Sequence, residues 1–274
     1  MANVVTTAAN LDDSLIELMD QEVIISGKDV STIDPFVETK VDIGAEAIKF
    51  TIYSKLAVAT TALTDGEDID SVGMVDASVL LTPAEHGNVV TTTKLVNYQT
   101  GGKADRAAAE LTGINMGESL NKLGVTVLES GTNATAAATA GEVAVEDLRG
   151  AYERLRTKKI PKINGVYVAY MHPAQISDLK DDYIEISKHT NQSLATNGVV
   201  GVLEGFVIVE DADVTPGKVS CFGKGALGKA VSHSPESTLT GPFDKLGRMM
   251  HLGWYGIIKY GKIDDNAIEI ITGA

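Results

Sequence analysis

The sequence predicts an α+β protein, and three observations carry that prediction. Runs such as EAIKFTIYSKL, GVYVAYM and AIEIIT are rich in β-branched and aromatic residues, and in the first Ile48, Phe50 and Ile52 fall on one face, which is the pattern of strands. Two other segments space apolar residues three and four apart, Met116, Leu120, Leu123 and Val127 in one and Val145, Leu148, Tyr152 and Leu155 in the other, which is one face of a helix. Between the strand-like EAIKFTIY and NVVTTTKLV lies a long excursion, residues 56–87, with neither Lys nor Arg and with LTDGEDID at its middle. Such an excursion reads as an extended hairpin.

Taken in order, residues 1–43 read as an arm that packs on something else. Leu11, Leu15, Ile16, Leu18 and Met19 suit a short helix capped by Asn10,. The stretch Ile33-Asp34-Pro35-Phe36 reads as extended, because the residue before a proline avoids the helical region,. Residues 44–97 form the hairpin, with NVVTTTKLV as its returning strand. A hairpin with little core of its own is marginal in isolation. It needs a surface to lie on, and a neighbouring subunit supplies one.

The spacing predicts a helix over 104–130. Gly113, Gly117 and Gly124 weaken it relative to Ala but let another backbone approach,. Residues 132–141, TNATAAATAG, are a small-residue loop. A second helix covers 145–159 and is ended by Pro161 and Gly165. GVYVAYM is a buried strand, and Pro173 suits the first turn of a helix over AQISDLKD, where its missing N–H costs nothing,. GVLEGFVIVEDADV reads as one further strand, and VSCF, GALGKAV, RMMHLGWYGIIKYG and AIEIIT complete a β-rich C-terminal third.

Composition bounds the function. The chain has 274 residues, 44% hydrophobic but only 5% aromatic, enough for a real core built from thin, strand-rich elements. The formal charge is −14, and residues 1–100 hold 5 Lys and no Arg against 16 Asp plus Glu. Bulk charge of that sign excludes a sequence-independent nucleic-acid binder. It leaves open whether the acidity serves solubility or steers a partner. The single Cys221 permits neither an intrachain disulfide nor a Cys-rich metal site, and points to a reducing cytoplasm,. The N-terminus lacks a signal-peptide pattern, and no apolar run is long enough to span a membrane,.

Enzyme motifs fail on context. Gly223, Gly225 and Gly228 have the G-x-G-x-x-G spacing after an apolar run, but Ser234-Pro235 stops any helix that a dinucleotide site needs,. Asp65, Glu67, Asp68 and Asp70 invite a calcium reading, yet an EF-hand counted from Asp65 finds Asp70 and Asp76 where glycine and glutamate belong,. His86, His172, His189, His233 and His251 show no zinc-hydrolase spacing,. His172, with Ser177 and Asp178 nearby, suggests a triad, but no nucleophile elbow supports it,. No cofactor or metal is expected.

The order of segments, arm, acidic hairpin, long helix, α/β region and β-rich return, resembles the major capsid proteins of tailed bacteriophages, the Hong Kong 97-like fold. More narrowly it is similar to the phage N-four type. The stretches that carry the likeness are TTALTDGEDIDSVGMVDASVLLTPAEHG, VYVAYMHPAQISDLK, GVVGVLEGFVIVEDADV, VSCFGKGALGKAV and LGRMMHLGWYGIIKYGKIDDNAIEII. The resemblance implies an N-arm at 1–43, an E-loop at 44–97, a peripheral domain at 98–142 and 236–274, and an axial domain at 143–235. It makes Leu63, Thr64, Asp65, Gly66, Glu67, Asp68, Ile69 and Asp70 the E-loop tip that touches a neighbour, and Met116, Leu120, Leu123 and Val127 the core of the spine helix. It assigns the three glycines to the strand and turn where the axial domain returns to the peripheral one.

The function so implied is a non-enzymatic shell subunit. It assembles with itself into hexamers and pentamers that enclose packaged double-stranded DNA, with no sequence-specific binding, in a virion made in the bacterial cytoplasm. A separate scaffolding protein, a portal and decoration proteins are the implied partners. Two other readings stay open: an encapsulin-type nanocompartment shell, and a hydrolase using His172. Lys49, Lys55 and Lys94, the lysines of 44–97, are placed on the hairpin stem, so the tip offers no amine for a covalent link between subunits.

Overall fold

The computed structural model describes residues 32–66, 68–138, 142–179, 202–242 and 244–273. The helix expected around Leu11 to Met19, the tip residue Glu67, His189 and residues 180–181 of the AQISDLKD helix lie outside them.

Twelve strands among the described residues form three sheets. The first is four-stranded, in the order β1 (Glu38–Val41), β10 (Leu227–Thr240), β11 (Met249–Lys262), β4 (Ala84–Thr93), with β1 parallel to β10 and the other pairs antiparallel. The second is six-stranded: β5 (Ala134–Ala136), β12 (Ile268–Thr272), β9 (Lys218–Phe222), β6 (Tyr167–Met171), β8 (Phe206–Glu210), β7 (Val202–Leu203). The third is the pair β2 (Ile48–Tyr53) and β3 (Asp76–Leu81). The helices are α1 (Lys94–Thr100), α2 (Lys103–Leu128), α3 (Val145–Thr157) and α4 (173–179).

The main core takes side chains from the six-stranded sheet and, through Leu227, Val231, Trp254, Ile258 and Tyr260, from β10 and β11. All five residues of β6 are buried, which is why YVAYM shows no alternation: both faces of a central strand are covered. From α3, Val145, Leu148, Ala151 and Leu155 pack into this core. Tyr152, expected on the same stripe, is half-buried; its ring meets Tyr167 edge-on at 5.6 Å and its hydroxyl accepts from Lys162 Nζ. On β12 the buried Glu269 carboxylate accepts from Arg154 Nε at 3.1 Å and Lys158 Nζ at 2.5 Å, which locks α3 to the sheet.

Four strand-level expectations are corrected. NVVTTTKLV is not the hairpin's return strand. β3 takes that place, opposite β2 from Ile48↔Leu81 to Tyr53↔Asp76, while β4 pairs with β11 and Lys94 begins α1. Gly87 and Gly253 explain the β4–β11 fit: a Cβ on Gly87 would lie 2.5 Å from the Trp254 carbonyl oxygen, and one on Gly253 2.5 Å from that of Asn88. GVLEGFVIVE is two strands, because Glu204 and Gly205 turn the chain with φ of 48° and 85°. Residues Asp34–Phe36 form a single 3-10 turn with Pro35 in its first positions rather than extended chain.

The glycine motif is structural. Gly223 follows β9, Gly225 turns the chain at φ 81°, and Gly228 lies in β10, so the segment carries the chain from the six-stranded to the four-stranded sheet. A Cβ on Gly228 would meet Ile263 Cδ1 at 2.7 Å and the Phe50 ring at 3.0 Å. No helix follows, so nothing aims N–H groups at a phosphate.

Candidate functional site

Among the described residues, the hairpin is packed little against the rest of the chain. Its root is held by a small satellite cluster of Ile48, Phe50, Leu81 and Ala230, separate from the main core. Beyond Ser54, whose N–H donates to the Val75 carbonyl, neither arm is in a strand. From residue 53 to 80 the chain exposes Tyr53, Leu56, Val58, Leu63, Ile69, Val72, Met74, Val75 and Leu80, each more than half accessible. That density of bare apolar side chains is what a covered surface requires and a solvated loop does not.

The predicted tip residues Leu63, Thr64, Asp65, Gly66, Asp68, Ile69 and Asp70 all sit together on this projecting loop and are exposed. The Asp68 carboxylate accepts from the N–H of Ile69, as a turn does. Among the described residues no group of three His, Cys, Asp or Glu is placed to hold a metal ion.

The spine helix is α2. Met116 and Leu120 are buried in the main core, but Leu123 and Val127 are only half-buried. These two line a groove of about 630 Å3 between α2 and the β4–β11 edge, with His86, Asn115, Lys122 and Trp254. The face that packs inward is instead Thr112, Gly113, Met116, Gly117, Leu120, Asn121, Gly124 and Leu128. A stripe of large apolar residues missed it because half of the face is small or polar. Gly124 receives Ile33, whose Cγ2 would lie 2.8 Å from a Cβ there.

Sequence reasoning also missed two polar clamps on the arm's end. Thr32 Oγ1 lies 2.7 Å from Asp211 Oδ2 and 2.9 Å from Asn121 Oδ1, and Asn121 donates to Asp211 at 2.6 Å and Asp213 at 2.9 Å. Lys229 Nζ donates to both Asp34 oxygens at 2.9 Å, and the Tyr260 hydroxyl donates to Oδ1 at 2.6 Å. Burial, reinforced by the Asp34 charge, pushes the Tyr260 phenol far above its usual range, so it remains a donor,. No local pattern announces such pairs, which join residues 89 to 226 positions apart.

The hydrolase reading loses its geometry. His172 Nδ1 accepts from the Ala174 N–H at 3.2 Å, which makes the ring a cap on α4. Burial pushes the Cys221 thiol strongly up, so it is no nucleophile at neutral pH,. No helix among the described residues is long and apolar enough to cross a membrane.

No protein-family model and no curated protein matches the chain. Solved structures do match. The head structure of Helicobacter pylori bacteriophage KHP40 is similar over 89% of this chain and 90% of its own, with TM-score 0.70 at 13% identity. The capsid of Ralstonia phage GP4 gives 0.69 at 12% identity over 87% of each chain. A virus-like particle from Pyrococcus furiosus gives 0.64 at 12% identity over 94% of this chain and 99% of that one. The fold is therefore the Hong Kong 97-like α+β fold, and the narrower likeness to the N-four type rests on the sequence patterns alone.

Proposed function

We propose that the chain is the major capsid subunit of a tailed phage or prophage. It assembles into pentamers and hexamers that close an icosahedral shell around double-stranded DNA. The observation that carries this reading is the hairpin: a projecting element with nine large apolar side chains bare to solvent, rooted by three side chains and an alanine. Such an element becomes stable when another subunit covers it.

Residues 44–81 act as the E-loop, with the tip at Leu63 to Asp70 touching a neighbour. The four-stranded sheet with α2 is the peripheral layer, and the six-stranded sheet with α3 the axial one. The linear boundaries cross in space, since β5 and β12, from 98–142 and 236–274, complete the axial sheet. The protein works in the virion capsid after synthesis in the host cytoplasm. Scaffolding, portal and decoration proteins are its expected partners, and its chemistry is assembly rather than catalysis.

Negative-stain microscopy and sedimentation of the purified full chain test this. Rings of five or six subunits, tubes or shells are expected. A monomer at tens of micromolar, with a hairpin as protected from hydrogen exchange as the core, overturns it. The length match to the archaeal virus-like particle favours a second reading, a nanocompartment shell. Particles taken from the native source separate the two: packaged double-stranded DNA supports the phage reading, an enclosed enzyme the other.

A further inference from the structure

The exposed surface is polarised along one pair of strands. The hairpin is rooted where β10 begins and β11 ends, since Gly228 abuts Phe50 and Gly261 abuts Leu81. At the other end of the same ribbon, where β10 ends and β11 begins, the chain forms a second exposed patch. There Lys94 N–H donates to the Arg248 carbonyl at 2.8 Å, and α1 turns into α2 at Gly101 and Gly102. From Gly228 to Thr240 is twelve strand steps, about 40 Å.

This corner has the complementary composition to the tip. It exposes Leu95, Tyr98 and Leu246, each about 70% accessible or more. Around them stand Lys94, Lys103 and Lys245, all exposed, and no ion pair within the described residues neutralises any of the three. Of the nearby carboxylates, Asp244 is held by Arg248 at 2.7 Å and Asp105 accepts from Asn97 at 2.5 Å. The tip shows bare apolar residues with Asp65, Asp68 and Asp70, and residues 56–93 contain no cation. Within the subunit no hydrogen bond or ion pair among the described residues joins tip to corner.

We infer that the corner formed by the start of α1, the start of α2 and the loop before β11 is the seat for the acidic hairpin tip of a second copy of this chain. The inference rests on the capsid reading above and names the surface and charge rule by which one subunit engages the next. Apolar contact supplies the buried area, and the lysines opposite the aspartates fix which surface meets which. Donor and acceptor lie at opposite ends of one ribbon, so the contact is head-to-tail and propagates from subunit to subunit.

Charge reversal tests it in the full-length protein. One variant carries Asp65→Lys, Asp68→Lys and Asp70→Lys; another carries Lys94→Glu, Lys103→Glu and Lys245→Glu; a third carries all six. All six positions are exposed, and two of the glutamates fall on first helical residues, where acid suits the helix dipole. Each triple variant should need at least about a tenfold higher protein concentration to assemble, by light scattering at low salt. The six-fold variant should return towards the wild-type value. Mixing the two triple variants should restore assembly by alternation, which closes rings of six but not rings of five. If the wild type assembles and both triple variants assemble at the same concentration, or if the six-fold variant assembles no better than either triple, the seat is wrong while the capsid reading stands. If the wild type itself forms no rings or shells under any condition, the capsid reading fails first.

Discussion

Phe50→Ala separates the stability of the hairpin from that of the body. Phe50 is 2% exposed, its ring lies against Gly228, and Lys40 Nζ sits 4.7 Å from the ring centroid. The other large buried side chains at the root are Ile48 and Leu81, with Val79 and Ile263 half-buried against them. Each of the three buried ones contributes about 1.5–3 kcal/mol, so together they hold the hairpin by about 5–9 kcal/mol before chain entropy is subtracted. Removing the ring costs about 3–5 kcal/mol, and the cation contact about 0.5–1 kcal/mol more.

That loss should bring the attached and detached hairpin close to balance without touching the main cluster, which Phe50 does not join. Hydrogen exchange read by mass spectrometry should show protection in β2 and β3 falling by a hundredfold or more, since each 1.4 kcal/mol is a factor of ten. Peptides covering β6 and β9 should be unchanged. An equal fall across the whole chain would mean that the hairpin and body unfold as one unit. No fall in β2 and β3 would mean that the root is held by something other than this cluster.

Three further outcomes are expected. Gly228→Val should lower the unfolding free energy read from urea melts by about 1–3 kcal/mol through overpacking against Ile263 and Phe50,; a neutral result would remove the close approach that explains the glycine motif. Glu269→Ala should cost about 1–3 kcal/mol, because Arg154 and Lys158 can still reach water,, whereas Arg154→Ala with Lys158→Ala strands a buried carboxylate and should cost about 3–5 kcal/mol; the reverse order in urea melts would refute the account. Mature particles boiled in SDS without reductant should run as a single band near 28.8 kDa, because the tip has no amine and residues 54–75 have no Asn or Gln, while Cys221 is buried; a ladder of dimers to hexamers would show covalent links.

What could be read in advance was local and repetitive. The long helix expected over 104–130 is found at Lys103–Leu128, and that over 145–159 at Val145–Thr157, because a helix is decided by neighbours three and four apart. Strand partners are decided at a distance. The alternation in NVVTTT suits a hairpin with β2 as well as a ladder with β11, and only the approach of Gly87 and Gly253 selects the second. Leu123 and Val127 misled for a related reason: their spacing is right, but the groove they line is open, and the face that turns inward uses glycine and Asn121 to let Ile33 and Asp211 approach. The tip was legible from a negative pattern, thirty-eight positions without a cation. Its seat was not, since the loop that carries Lys245 comes beside Lys94 only once β11 has paired with β4.

One helix fixes the relation between the two surfaces that this reading joins. Along α2, Ala108 and Ala109 pack with Leu252 of the four-stranded sheet, whereas Met116, Leu120 and Leu128 lie in the main core, which takes side chains from both sheets. Its 26 residues span about 39 Å,, comparable to the ribbon that separates the hairpin root from the corner. A head-to-tail contact closes into a ring only if the rotation between successive subunits is held constant, and that rotation is set by the angle between donor and acceptor within each chain. The helix packs in the core shared by both sheets and so sets that angle, while the hairpin joins the body through its own small cluster. On the proposed capsid reading, rings of five and of six from one sequence would differ at the root, around Ile48, Phe50 and Leu81, rather than in the body.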